Sequence, residues 1–410
     1  MKRVLYIQHA GTLGGSCMSL LFTLQRLDRA RFEPVVALVR PAAPVRDLYV
    51  NAGIRTIDWP GIGTLEHTTA RWWRVHNPRD WSEAVRCVGN WQRSERRTVE
   101  LVDHVRPNLV HLNSAVLMPS AHALRRSGVP FVWHVRESAV PGYLGIRHAI
   151  MGRALSDWPS EAIFLSSEER KEWTGGRKGV VVPNYVDFAR FDHNLPRESA
   201  RQSFGILPDS KVVLFVGGTA RVKGMLPLIQ ALALVREKVP NLRCLMPGSI
   251  AVAPPSLALR AARWALPLLG SGTGIQLVDR EIHRLRLEDV CIRTEFALNM
   301  EVFLAAADVL CFPALTNHFA RPVIEAAAMG KPVVASRFPI LEELVEDRGS
   351  GTLVPPGEVR PLADALILTL TDAAYAARLG KRARDLAAER YDANKNVARI
   401  MSVYDEVLAR

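Results

Sequence analysis

Short, uninterrupted apolar runs separated by segments of helical length set the pattern of this chain. Val4-Leu5-Tyr6-Ile7 leads into a glycine-rich turn and then an apolar stretch from Met18 to Leu27. Runs of the same kind recur at 34–39, 109–112, 131–135, 162–166 and 180–182. None alternates apolar with polar positions, and continuous runs are how strands of a parallel sheet covered on both faces read. A polar stretch at 194–203, with Pro196 inside it, predicts a linker. The pattern then restarts. Residues 211–216 form the strongest strand signal, Gly217-Gly218 follow, and a helix is predicted over 225–238. Strands around Cys244, Val290, Val309 and Val333 alternate with helices at 300–307 and 321–329, and beyond Pro361 the chain reads as helical, ending in a basic helix over 391–410. The predicted fold class is α/β, with two Rossmann-like, doubly wound domains and a cleft between them.

At 48% hydrophobic and 23% charged residues the composition is that of a globular protein, which excludes extended disorder. No run approaches the ~18 consecutive apolar residues that a bilayer span needs, which excludes an integral membrane protein. Met1-Lys2-Arg3 passes straight into the first strand without the apolar region of a signal peptide, so a cytoplasmic protein is expected. Five scattered cysteines (Cys17, Cys87, Cys244, Cys291, Cys311) include no C-x-x-C pair and point to buried free thiols, not to disulfides or a zinc knuckle. The net charge of +12, carried mostly by arginine, favours partners that bear phosphate: nucleic acid, anionic lipid or nucleotides. No RNA- or DNA-reading motif accompanies it, so nucleic acid ranks last. Two segments mix aromatic or apolar residues with arginine: 71–97, with Trp72, Trp73, Trp81 and Trp91, and 254–269, with Trp264. Each reads either as an interfacial segment on an anionic membrane surface or as packed tryptophans beside a solvated basic face.

Three turns and one strand end carry candidate chemistry. Gly11-Thr12-Leu13-Gly14-Gly15-Ser16 lies between a strand and a helix, where the backbone can approach a ligand and the helix start offers N–H groups to a phosphate or a sugar hydroxyl. A tight turn alone is the other reading. The motif is not G-x-G-x-x-G, and the second strand ends at Val39-Arg40 without an acid for a ribose, which disfavours a dinucleotide dehydrogenase. Gly217-Gly218-Thr219-Ala220-Arg221-Val222-Lys223-Gly224 puts two cations beside a second such turn, suited to a diphosphate. The third turn carries Asn317-His318-Phe319-Ala320-Arg321, with Glu325 about one turn into the apolar helix that follows. A carboxylate there needs a partner; ribose hydroxyls would serve, and so would Arg321 four residues earlier. His134-Val135-Arg136-Glu137 ends a strand, where ligands of α/β folds bind, and an internal ion pair is the alternative for the last two.

In this order and spacing the motifs resemble those of the retaining GT-B glycosyltransferases of family 4, over nearly the whole chain. Gly14-Gly15 resembles the family's glycine loop, and Val182-Pro183-Asn184-Tyr185-Val186-Asp187 its V-P-N-G-V-D signature. Gly217 to Gly224 resembles the G-R-L-x-x-x-K-G motif, Asn317 to Glu325 the E-x7-E pair, and residues 342–345 and 351–354 the stretch that follows it. The resemblance implies an acceptor domain over 1–190, with 391–410 packing back on it, and a donor domain over 191–390. It implies donor binding by Gly14, Gly15, Gly217, Gly218, Arg221, Lys223, His318, Phe319, Ala320, Arg321 and Glu325, with Lys223 on the phosphates and Glu325 on the ribose. His134, Arg136 and Asn317 are the catalytic residues it implies. The co-substrate would be a nucleotide sugar such as a UDP- or GDP-sugar, with no metal, which fits the lack of a suitable D-x-D. The acceptor would be a glycan, a small molecule or a lipid-linked sugar, in cell-surface polysaccharide biosynthesis at the inner face of the membrane. Two positions depart from the pattern: the first acid of the pair is Asn317, and the family's arginine is Gly218, with Arg221 nearby to supply charge. A glycosyltransferase-like nucleotide-binding scaffold and a sugar-nucleotide epimerase are the rival expectations.

Overall fold

The computed structural model describes residues 1–68, 73–74, 77–218, 220–250 and 274–410. They fall into two units, Met1–Tyr185 with Tyr391–Arg410 and Val186–Arg390. In unit 1 the apolar runs become β1 (Lys2–Gln8), β2 (Phe32–Leu38), β4 (Leu109–Leu112), β5 (Phe131–His134), β6 (Glu161–Phe164) and β7 (Val180–Val181), joined by β3 (Arg55–Asp58). All pair in parallel in the order β3-β2-β1-β4-β5-β6-β7. Unit 2 holds β8 (Lys211–Phe215), β9 (Leu242–Met246), β10 (Cys291–Arg293), β11 (Val309–Phe312), β12 (Val333–Ser336) and β13 (Thr352–Val354), also parallel, in the order β10-β9-β8-β11-β12-β13. β4, β5, β11 and β12 are buried at every residue, as their unbroken apolar character requires.

Strand order reverses between β1 and β4 in unit 1 and between β8 and β11 in unit 2. Crossovers leave such a pair toward opposite faces, so the loops at the C-terminal ends splay apart and open a crevice. The loops placed there are the Gly11–Gly14 turn and the Asn113 loop in unit 1, and the Gly217 turn and the 313–320 loop in unit 2. The fold therefore aims the chemistry-bearing turns at its two crevices.

Two edge strands lie outside the predicted set because neither has an apolar run: β3 is exposed at both ends and half-exposed between, and β13 has three residues. The stretch 194–203 is not a linker. It forms the helix Arg197–Gln202, whose Arg201 is 1% exposed and donates to the carbonyls of Ala306, Pro208 and Ser210 and to the Asp308 carboxylate at 2.6–3.1 Å. A guanidinium surrounded by acceptors can sit in the interior, and with Ala200 it is the buried side of a helix whose other residues are exposed. The terminal helix Ala393–Ala409 packs Val397, Ile400, Val403 and Val407 into the cluster that holds Leu20 and Leu24 of the helix Gly15–Gln25. Its Tyr404 hydroxyl lies 2.7 Å from His111 Nδ1 on β4.

All five cysteines are free thiols, four of them buried. Of the arginine–tryptophan segment, Arg71 and Trp72 lie outside the described residues, as does all of 254–269 with Trp264. Trp73 is buried, Trp91 is half-buried and donates to Glu95 at 2.7 Å, and Trp81 is exposed. Among the described residues no helix is long and apolar enough to cross a membrane.

Ile400→Ala tests whether the terminal helix belongs to the core of unit 1. Ile400 is fully buried, so its truncation is expected to cost about 2–5 kcal/mol in a urea titration. A loss under ~0.5 kcal/mol, typical of surface sites, would detach the helix from that core.

Candidate active site

In unit 2 the turn after β8 is built by glycines that nothing else replaces. Gly218 has φ +56°, and Gly224 has φ +77° with its Cα against Pro313, so that a Cβ there would run into the Pro313 carbonyl. A Cβ at Gly217 would stand 2.7 Å from Lys223 Cβ. Leu315 N–H donates to the Val222 carbonyl at 2.8 Å, which ties this turn to the loop after β11. The join brings Lys223 Nζ to 2.6 Å from His318 Nε2 and 5.5 Å from the Phe312 ring centre. His318 Nδ1 is 2.8 Å from the Thr316 carbonyl, which can only accept, so Nδ1 carries the proton and Nε2 accepts from Lys223. Burial pushes Lys223 down to about 8, and burial with the Lys223 charge pushes His318 down to about 4. Among the described residues Lys223 pairs with no carboxylate, and neither does the exposed Arg221. A half-buried ammonium held by a neutral imidazole is a cation without an anion.

Beyond the loop, Phe319 is half-buried and Ala320 is buried at the start of the helix Arg321–Ala328, which has no side-chain cap. Glu325 is 6% exposed, and Arg321 Nε donates to its Oε1 at 2.6 Å. The ion pair expected as an alternative to a ligand is therefore present. It engages one carboxylate oxygen; Oε2 has no partner among the described residues. Burial raises the Glu325 pKa and the Arg321 charge opposes it. Asn317 Oδ1 accepts from the Ile340 N–H at 3.3 Å, so its oxygen is turned to the start of the helix Pro339–Leu344.

In unit 1 Gly14 is extended and opens the helix Gly15–Gln25, which has no side-chain cap and no acid in its first turn. A Cβ at Gly14 or Gly15 would meet no atom within 4 Å, so the fold itself leaves room there. Asn113 links this helix start to the end of β5. Its Nδ2 donates to Gln8 Oε1 at 2.9 Å and reaches the Ser16 carbonyl at 3.4 Å, while its Oδ1 accepts from Arg136 Nε at 2.6 Å. Asn184 Oδ1 accepts from Arg136 Nη1 at 2.9 Å. The Glu137 carboxylate instead takes the Ser114 hydroxyl at 2.5 Å and the N–H groups of Ala115 and Arg136 at 3.0 and 3.1 Å.

Arg136 Nη2 stands 3.4 Å from His134 Nδ1. A guanidinium can only donate, so Nδ1 accepts and the His134 proton sits on Nε2. His134 is 1% exposed, and its Nε2 has no partner among the described residues. Burial first, then the Arg136 charge, holds its pKa well below the usual imidazole value, so the ring is neutral. A buried N–H without an acceptor costs about 1–3 kcal/mol, and a substrate oxygen would satisfy it.

The structure thus gathers His134 and Arg136 with the glycine turn in unit 1. In unit 2 it gathers Gly217, Gly218, Lys223 and His318, sets Glu325 with Arg321, and turns Asn317 toward the backbone. Sequence reasoning missed Asn113 as a connector and did not single out Asn184, although its V-P-N signature was in view.

Residues 196–386 match the family model for glycosyl transferases group 1. A D-inositol 3-phosphate glycosyltransferase from Xylanimonas cellulosilytica is 27% identical over 405 residues, covering 92% of this chain and 85% of that protein. Among solved structures, Anabaena HepE in complex with UDP and glucose superposes with a TM-score of 0.77 at 19% identity, covering 99% of this chain and 100% of that one. Sucrose-phosphate synthase of Thermosynechococcus elongatus superposes with a TM-score of 0.75 at 19% identity, covering 100% of both chains.

Folded Lys223 sheds its proton near pH 8, whereas an unfolded lysine keeps it to 10.5. Between those values the unfolded chain binds more protons, so this residue makes stability rise with pH across that window. Lys223→Met is expected to remove that rise: the difference in urea midpoint between wild type and variant should change from pH 8 to pH 10, in favour of the wild type. Lys331 is pushed down to about 8 as well, but its share cancels in the difference. Parallel pH curves would show that Lys223 is not held in a desolvated site.

Proposed function

We propose that the chain is a group 1 glycosyltransferase, since residues 196–386 match that family's model and the fold is GT-B, and that it moves a sugar from a nucleoside diphosphate sugar to an acceptor hydroxyl with retention of anomeric configuration. The observation that carries this reading is Lys223, a half-buried cation whose partner is a neutral histidine. A diphosphate would supply the missing anion, with Arg221 adding a bidentate contact. Glu325, steadied at Oε1 by Arg321, offers Oε2 to the ribose hydroxyls. We assign no metal to the step, because Lys223, Arg221 and the helix starts stabilise the departing diphosphate as preorganised charge. HepE was solved with UDP, which makes UDP the first base to test, with GDP next.

In unit 1 the neutral His134 gives its Nε2–H to a sugar hydroxyl, and Arg136, fixed by Asn113 and Asn184, sets that tautomer. Arg136 is a positioning residue in this scheme. The uncapped helix start at Gly15 takes a phosphate or hydroxyl oxygen. The acceptor hydroxyl attacks on the face from which the nucleoside diphosphate leaves, and its proton passes to the leaving phosphate oxygen. A glycan or lipid-linked acceptor in surface polysaccharide assembly, met at the inner face of the membrane, suits the basic charge of the chain.

UDP or GDP is expected to raise the melting temperature, with about 2.7 kcal/mol of added stability at a hundredfold excess over Kd. Lys223→Ala and Glu325→Ala should each lose most of that shift. No shift with any nucleotide diphosphate would overturn the donor site. A shift without nucleoside diphosphate release would instead assign the binding scaffold, and conversion of the donor sugar without acceptor the epimerase.

His134→Ala should keep the nucleotide shift yet lower nucleoside diphosphate release from the donor sugar by about 100-fold. Equal loss of both would make His134 a structural residue.

A further inference from the structure

A short finger in unit 1 has no part in the chemistry above. It follows β5 and the His134–Glu137 stretch, so it rises from the same end of the sheet as the reactive histidine. Its backbone is left-handed at Gly142, Leu144 and Gly145, with φ between +54° and +66°. For Leu144 this conformation is costly, and the side chain gains nothing from the fold in return: it is 92% exposed. Ile146 and Ile150, one turn apart on the helix Ile146–Asp157, are 57% and 53% exposed, while Met151, Ala154 and Leu155 anchor the other face of that helix in the core.

The base of the finger is fixed. The Gly142 backbone lies against the buried His67 ring, where a Cβ would come within 2.7 Å of it. Arg147 Nη2 donates to the Trp73 carbonyl at 2.6 Å. That contact joins the finger to the segment entering the helix Pro78–Gly89, which exposes a second apolar pair, Val85 at 67% and Val88 at 69%. An apolar tip on a pinned base, at a backbone cost, marks an interaction surface.

Charge selects the partner. From Ser138 to Ser156 the chain has no acidic residue, but it has Arg147 and Arg153. Unit 1 carries 28 basic and 19 acidic residues, net +9, and unit 2 carries 25 and 22, net +3. A protruding tip, as opposed to a groove, suits a soft partner into which it can sink.

We infer that the Leu144 finger, with Ile146 and Ile150 behind it, docks unit 1 onto an anionic lipid bilayer, bringing the His134 end of the sheet to a lipid-linked acceptor. The inference rests on the lipid-linked form of the acceptor reading above. Apolar side chains enter the acyl boundary while Arg153, exposed on the same helix, meets headgroup phosphates.

The test is co-sedimentation of the full chain with phosphatidylcholine–phosphatidylglycerol vesicles and with phosphatidylcholine vesicles alone. Binding should require phosphatidylglycerol and fall with salt. Leu144→Asp and the pair Ile146→Asp, Ile150→Asp should each weaken it about tenfold or more, because a charge replaces the inserted chain. Leu368→Asp, at an exposed site of unit 2, should not. Leu144→Gly is the diagnostic variant. It relieves the left-handed leucine, so the melting temperature should hold or rise while vesicle binding falls. Vesicle binding unchanged in these variants, or absent in the wild type, would overturn the inference. So would a wild-type dimer that the same variants dissociate, since a second copy would then own the surface. The UDP or GDP thermal shift, measured in parallel, must survive every finger variant, so failure here is distinct from failure of the donor site.

Discussion

Everything functional in this chain depends on where its two parallel sheets reverse their strand order. A parallel strand must be followed by a crossover, and where two neighbours send theirs to opposite faces the loops part and a crevice forms. β1 with β4 and β8 with β11 are those neighbours. The glycine turns, Asn113 and the 313–320 loop are held there by the hydrogen-bonded register of strands buried on both faces. Glycine at 224 follows from this placement: the turn after β8 must touch the Pro313 backbone after β11, and no side chain fits between them.

Within those crevices one device is used twice, in opposite senses. A backbone carbonyl holds the proton of His318 on Nδ1 and leaves Nε2 to accept from Lys223. The Arg136 guanidinium takes the lone pair of His134 Nδ1 and leaves the proton on Nε2. Burial keeps both rings neutral. One imidazole therefore accepts from a cation, and the other keeps a donor without a partner among the described residues. Neither role needs a charge on the ring, and a charge would defeat the first by repelling the ammonium.

Much of this was legible in the sequence, for reasons that also mark its limits. Continuous apolar runs announced β1, β2, β4 to β6, β8 and β11 because burial on both faces leaves no polar position. Glycines beside cations announced the turns. β3 and β13 were not legible, since edge strands need no such run, and a mostly exposed polar helix that buries Arg201 looked like a linker. The Tyr404–His111 contact joins residues 293 apart, and Arg136 finds Asn184 across 48 positions. No periodicity carries pairings of that kind. Leu144 was equally silent, because its meaning lies in a positive φ and an exposed side chain, not in its identity.

The two units hold their charge differently, and the difference separates binding from approach. Unit 2 is nearly balanced, and its arginines are largely spoken for: Arg197 and Arg201 by Asp308, Arg236 by Asp289, Arg382 by Glu346. The exposed pairs among these add little stability, Arg201 is buried where it meets Asp308, and the pairing leaves unit 2 little net field. Lys223 then stands out as a local charge, set by its neutral histidine and not by an excess of bases. Unit 1 keeps its excess on the surface, as a field whose reach is set by the salt around it. A diphosphate needs a point of positive charge within hydrogen-bond range, and a lipid surface needs many at a distance. One distribution cannot meet both demands, and under the proposed reading unit 2 meets the first and unit 1 the second.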